Sequence, residues 1–228
     1  MRKKGKQIGG IRVSNWYKIA PDPMPAPASL VQADGRLSPS AREVLHAMTG
    51  VPVPLLDGAR IRHARDNWIR APWYRYHRGG AITMGRTIWF TRKWFEAGGY
   101  GDGSPLATWN WLLHLAHEAG HLPQAERFGL HLFGKARYVL AFAAQYGTRA
   151  LLLRRAVHDG APLEIEADRG RWVLSQLMGR EPLAHRLVHA LHAGDADTVH
   201  EQCHQLAPRI ADLSRRYTVL VQQRAPRY

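Results

Sequence analysis

The sequence predicts an α+β fold that is mainly helical, with a small β-sheet in the N-terminal half and a helical C-terminal half. Three observations carry this. Hydrophobic residues make up 45% of the 228-residue chain and charged residues 22%, as in an ordinary globular protein. Two short stretches rich in alternating, β-branched and aromatic residues both fall before residue 92. From Ser104 onward, apolar residues recur at helical spacing almost without a break.

Residues 1–30 read as a basic, proline-rich arm. Arg2, Lys3, Lys4, Lys6, Arg12 and Lys18 occur there without an acid before position 20, and "PDPMPAPAS" (21–29) favours extended backbone. A solvated arm is the plain reading. The main domain is expected over 31–180, with 181–228 a helical extension packed on it. "LSPSAREVLHAMTG" (37–50) predicts a short helix, capped by Ser38 or Ser40 and stopped by Gly50. "ARIRHA" (59–64) and "AITMGRTIWFT" (81–91) predict strands, the second with a turn or bulge at Gly85-Arg86. Between them, "DNWIRAPWYRYHRGG" (66–80) interleaves aromatic and basic residues. Such residues can stack nucleobases. The preferred reading is that the aromatics cover the sheet while the arginines reach outward.

"GGYGDGS" (98–104) lacks the spacing of a phosphate-binding loop and reads as a connector. Ser104-Pro105 then predicts a helix start, with the helix running to Phe128 and breaking near Pro123. Further helices are expected over 135–158, 162–179, about 182–193 and about 196–222, the last interrupted near Pro208.

The formal charge is +14, from 32 basic and 18 acidic residues. An acidic partner protein, an anionic membrane surface or nucleic acid would all suit it. No recognised nucleic-acid motif is present, so nucleic acid is not favoured. No apolar run reaches the length of a membrane span, and no apolar segment follows the basic start as in a secretory signal. With a single cysteine, Cys203, no intrachain disulfide is available. The expectation is a protein cytoplasmic in the producing cell, with any export independent of a signal peptide.

The chemistry concentrates in "LLHLAHEAGHLPQAERFG" (112–129). His117-Glu118-Ala119-Gly120-His121 is an HExxH pattern. On a helix, residues i and i+4 share a face, so both imidazoles can reach one zinc ion. Glu118 points about 100° away, where it can act as general base on a water at the site. A chain with 13 histidines can spell this by accident, so a third ligand matters. "PLEIEADRGRW" (162–172) supplies candidates. Glu164 and Asp168 stand four apart, so Glu164 can be the third ligand while Asp168 accepts the free N–H of a ligating histidine. Glu166 is the alternative ligand, about 200° around the helix. Glu164 is preferred because it alone shares a face with Asp168. Without HEAGH, the acids of this stretch would read as a helix start near the positive dipole end.

HEAGH followed by Glu164-Ile-Glu-Ala-Asp168 resembles the glutamate-zincin metallopeptidases. The EIEAD spelling is similar to that of the integral-membrane CaaX-type zinc endopeptidases, a likeness limited to the site. A longer resemblance, over about 35–170, is to the soluble metallopeptidase-like core domain associated with extracellular contractile injection systems. It rests on "GRLSPSAREVLHAMTG", then Gly85-Arg-Thr-Ile88-Trp-Phe90, a glycine-rich loop and "HLAHEAGHLPQ" with Gln124 after the second histidine. The Ala-Gly inside HEAGH departs from the bulkier residues common there. The resemblance implies a zincin-like fold with an active-site helix, and one Zn2+ per chain. It implies a peptide or protein substrate, and Ile88-Trp89-Phe90 as an edge strand beside the cleft, able to add an extended peptide. It also implies an effector or toxin role with a secretion or injection apparatus as partner.

The residues thus predict a zinc metalloendopeptidase with Glu118 as general base. Tyr138, Tyr146 and His158 are candidates for stabilising an oxyanion. A catalytically silent zincin-fold cargo or binding module is the first alternative, and a nucleic-acid-associated metalloprotein the second. His185, His189 and His192, and His200 with His204, also share helix faces, but no carboxylate pattern accompanies them. His114, one turn before His117, reads as core or supporting residue.

Overall fold

A computed structural model of the chain describes residues 7–8, 11–12, 27–63, 81–90, 104–148 and 161–224. The aromatic and basic stretch 66–80, the glycine-rich loop up to 103 and the end of the 135–158 helix, including His158, lie outside the described residues, as does most of the arm. Within the arm, β1 (Gln7–Ile8) pairs antiparallel with β2 (Ile11–Arg12).

Helix α1 (Pro39–Thr49) starts where the sequence places it. Ser38 Oγ accepts the Ala41 N–H, Pro39 stands at the helix start, and Gly50 closes the helix at φ +68°. Ser38 Oγ also donates to the Ser29 carbonyl, and Leu30 is fully buried. Leu30, expected at the end of the arm, therefore belongs to the core. The short helix α2 (Val53–Asp57) had no clear sequence signal.

Strands β3 (Arg60–His63), β4 (Ala81–Met84) and β5 (Thr87–Phe90) make a three-stranded sheet of order β3-β5-β4. The expected turn falls at Gly85-Arg86, with Gly85 at φ +62°, so residues 81–90 form a hairpin of two antiparallel strands. β3 then adds parallel to β5. This corrects one expectation: Ile88-Trp89-Phe90 is the central strand, not an edge. Both sides of β5 are hydrogen-bonded, and the edge nearer the motif helix is β4.

Helix α3 (Pro105–Gly120) is capped by Ser104 and buries Ala107, Trp111, Leu112, Leu115, Ala116 and Ala119. Phe90 of the sheet packs on Trp111 with ring centroids 4.9 Å apart. The break expected near Pro123 falls at His121. Pro123 has no N–H for the Ala119 carbonyl, so the chain turns at His121 and restarts as α4 (Leu122–Phe128). Helix α5 (Leu132–Gly147) begins three residues earlier than expected, because His131 Nδ1 caps the Gly134 N–H.

The helix expected over 162–179 is two, α6 (Pro162–Ala167) and α7 (Arg169–Met178), bent at Asp168. The bend accompanies two close contacts, α6 on α3 and α7 on α1. At the second, a Cβ on Gly170 would stand 2.3 Å from Thr49 Cγ2. Helix α8 (Pro182–Ala193) matches expectation. Helix α9 (Ala196–Arg224) does not: it passes through Pro208 unbroken. Leu206, Ile210 and Leu213 are buried on either side of the proline and hold the axis through the lost hydrogen bond. One hydrophobic core runs from Leu30 through α1, the sheet and α3 to Leu213, so the C-terminal helices share the core of the rest. Among the described residues, no helix is long and apolar enough to cross a membrane.

Candidate metal centre

Helix α3 ends against α6 at a point where no side chain intervenes. A Cβ on Gly120 would stand 2.3 Å from the Ala167 carbonyl oxygen and 2.7 Å from its Cα. The glycine inside HEAGH therefore lets the two backbones touch. That contact brings Glu164 of α6 up to the two histidines of α3. His117, His121 and Glu164 are all buried and form a group that can hold a metal ion.

The donor atoms converge. Glu164 Oε2 lies 3.1 Å from His117 Nε2 and 3.6 Å from His121 Nε2. Two ligands about 2.0–2.2 Å from a tetrahedral zinc stand about 3.3–3.6 Å apart, so the residues fit such an ion. The other ring nitrogens are occupied. His117 Nδ1 lies 3.0 Å from Asp168 Oδ1, and His121 Nδ1 lies 2.8 Å from Gln124 Oε1. Each imidazole is thereby set to donate through Nδ1 and leave Nε2 for the site. Asp168 is itself paired with Arg171.

Glu164 is held from both ends. Tyr146 donates its hydroxyl to Glu164 Oε1, leaving Oε2 toward the histidines. Gln124 Nε2 donates to the Leu163 carbonyl at 2.8 Å, while Gln145 Oε1 accepts the Leu163 N–H at 3.2 Å. From the far side, Tyr217 of α9 donates to the Ile165 carbonyl at 2.5 Å, and its ring packs on Trp172. Glu166 points elsewhere: its Oε2 accepts from Arg127 at 2.6 Å and from Gln124 at 3.1 Å, and it stands exposed. Of the two candidate carboxylates, the structure brings only Glu164 to the histidines.

Glu118 is buried beside this group and anchored by β4. Thr83 Oγ1 lies 2.7 Å from Glu118 Oε2 and 3.0 Å from the Glu118 carbonyl oxygen. The threonine has one proton to give, and the shorter contact, to a carboxylate, is the better acceptor. Sequence reading missed Thr83, Gln145 and the role of Gln124. The only prior signals were a polar residue on the inward face of a strand for Thr83 and the H-x-x-Q spacing for Gln124.

Of the oxyanion candidates, Tyr146 is committed to Glu164 and supports the carboxylate. Tyr138 is buried between Phe128 and Phe142. Burial raises both phenols far above their usual value, reinforced at Tyr146 by Glu164 and at Tyr138 by Glu118, so both stay protonated donors. His158 lies outside the described residues. Burial, then Arg171 and His117, lower His114 to about 3, so it stays neutral as a supporting residue. His192 meets Thr108, His200 meets Glu43, and His185 meets a backbone carbonyl; among the described residues, the one metal-capable group is His117, His121 and Glu164.

The electrostatics of the group are those of an ion pair. Burial alone would lower His117, but its bonds to Asp168 and Glu164 outweigh burial and raise it to about 9. Burial alone would raise Glu164, but His117 and His121 outweigh it and hold the carboxyl well below its usual range. The buried charges thus satisfy one another.

No family model matches the chain, and no curated protein or solved structure matches it.

Two outcomes follow from the geometry. Gly120→Ala should force α3 from α6, lowering stability by about 1–3 kcal/mol and weakening zinc binding about 10–100-fold. Competition with a chromogenic chelator measures the affinity; an unchanged value would show that the contact does not set the ligands. The second outcome concerns pH. His117 with a pKa raised to about 9 is protonated at neutral pH and must lose that proton to bind metal. Apparent zinc affinity should therefore rise about tenfold per pH unit and level off near pH 9, with about one proton released per ion at pH 7.5. In the metal-free protein the sign reverses. The stabilisation from charged His117 is full below pH 6.5 and is lost as pH rises through about 9. Calorimetry in buffers of different ionisation enthalpy counts the protons.

Proposed function

We propose that this protein is a zinc-dependent peptidase, with His117, His121 and Glu164 as metal ligands and Glu118 as general base. One observation carries the reading. Two imidazole nitrogens and one carboxylate oxygen converge in a buried site, each fixed by its own hydrogen-bond partner, and a further buried carboxylate stands one residue along the same helix. Three protein ligands leave a fourth position open, the arrangement of a catalytic rather than a structural zinc site.

A zinc ion held by His117, His121 and Glu164 would supply a Lewis acid for the scissile carbonyl and would make an attacking water more acidic. Glu118 takes the proton of that water and later delivers it to the leaving amine. Thr83 keeps the Glu118 carboxylate in one orientation through its Oε2, which leaves Oε1 to handle the proton. Asp168 and Gln124 keep both imidazoles in one tautomer and orientation. Tyr146 occupies Glu164 Oε1 and leaves Oε2 toward the histidines. Edge strand β4, which carries Thr83, offers the backbone against which an extended peptide can lie.

The test uses the full chain on an unstructured protein substrate. Glu118→Gln should retain zinc and lose about 10²–10⁴ in kcat, the usual contribution of a general base. Thr83→Val should keep both fold and zinc, lower kcat more than it changes KM, and be rescued by Thr83→Ser. A Glu118→Gln enzyme with wild-type turnover would sink the reading.

A further inference from the structure

Helix α5 is oriented the wrong way round for a helix of a free-standing soluble protein. Its inward side carries Gln145 and Tyr146, which meet the Glu164 helix, and Tyr138, buried against Phe128 of α4. Its outward side is apolar. Leu132, Phe133, Val139 and Leu140 are 72%, 78%, 45% and 66% exposed, with alanines filling the positions between them. At 100° per residue these fall within one contiguous sector of the helix surface. An exposed apolar stripe of this kind marks a surface that is covered in use.

The rim of the stripe indicates what covers it. Arg137 stands exposed on one flank, and on the other the half-buried Lys135 lays its side chain along the Gly85 turn of the hairpin. From Arg127 to Thr148 the chain contains no Asp or Glu, and the whole chain carries +14. Arg127 is matched by Glu166, so Lys135 and Arg137 supply the local charge. Two copies of this face packed about a two-fold axis would bring like-charged rims together. A phospholipid surface with anionic headgroups meets both features at once: acyl chains for the stripe, phosphates and carboxylates for the rim.

We propose that α5 docks flat on an anionic lipid bilayer, with Leu132, Phe133, Val139 and Leu140 inserted at the headgroup boundary, Arg137 on the headgroups and Lys135 at the rim beside the Gly85 turn. The helix lies in the membrane surface and does not span it. Its inner face remains on the Glu164 helix, so docking leaves the candidate metal centre intact on the side away from the lipid. This inference stands whether or not the site hydrolyses peptides.

The experiment is co-sedimentation of the full chain with vesicles of phosphatidylcholine alone and with about 30 mol % phosphatidylserine, an anionic leaflet composition. Binding is expected to the second and not to the first. The double substitution Phe133→Ser/Leu140→Ser should weaken it about tenfold or more, with circular dichroism and zinc content unchanged. Lys135→Gln/Arg137→Gln should weaken it and flatten its salt dependence. Absence of wild-type binding overturns the proposal. So does wild-type binding by Phe133→Ser/Leu140→Ser, since the basic arm alone would then account for the attraction. A wild-type dimer in light scattering that this substitution makes monomeric also overturns it, in favour of a second copy as the occupant.

Discussion

The candidate metal centre depends on one backbone contact. Gly120, the last residue of α3, lies directly against Ala167 at the end of α6, with no room for a Cβ between them. Packed helices normally stand about 8–10 Å apart, a distance set by side chains. Removing the side chain at the contact lets a carboxylate on one helix reach two imidazoles on the other. A Cβ there would stand 2.3 Å from the Ala167 carbonyl oxygen, so a bulkier residue would have to push the helix carrying Glu164 away from the histidines. The glycine of HEAGH has its physical reason in this contact.

Around that contact the protein spends many polar groups on orientation. Asp168 and Gln124 each occupy one ring nitrogen, Tyr146 occupies one oxygen of Glu164, and two glutamines clamp the backbone of Leu163. Buried polar groups are costly unless paired, so a cluster this dense persists only when it is nearly satisfied. The elements that supply the partners are far apart in the chain: α4, α5, the bend at Asp168 and, through Tyr217, the C-terminal helix. The C-terminal segment is thus more than a cover. It braces the helix that carries Glu164.

Much of this was legible in the sequence, and the limits of legibility have physical causes. His117, Glu118 and His121 declare themselves through helical spacing, and so does the preference for Glu164 with Asp168, because i and i+4 share a face. Caps at Ser38 and Ser104 follow from local hydrogen bonding. Thr83 could not be found in this way, since its partner Glu118 lies 35 residues away on another element. The position of β5 was misjudged for the same reason: strand order is decided by which edge a distant segment adds to, and β3 adds to the far side of the hairpin. Pro208 was expected to break α9 on local grounds, and the buried neighbours on both sides override it. The bend at Asp168 likewise arises from contacts with Gly120 and Thr49 that no local pattern encodes.

X-ray absorption at the zinc edge tests the central claim most directly: that a glycine contact brings two imidazoles and one carboxylate to a single metal. Purified protein should carry one zinc per chain with two imidazole nitrogens and one carboxylate oxygen at about 2.0–2.2 Å, and Glu164→Gln should lose the ion or its oxygen ligand while Glu166→Gln should not. A chain that binds no zinc, or a Glu164→Gln chain whose zinc environment is unchanged, would contradict the account.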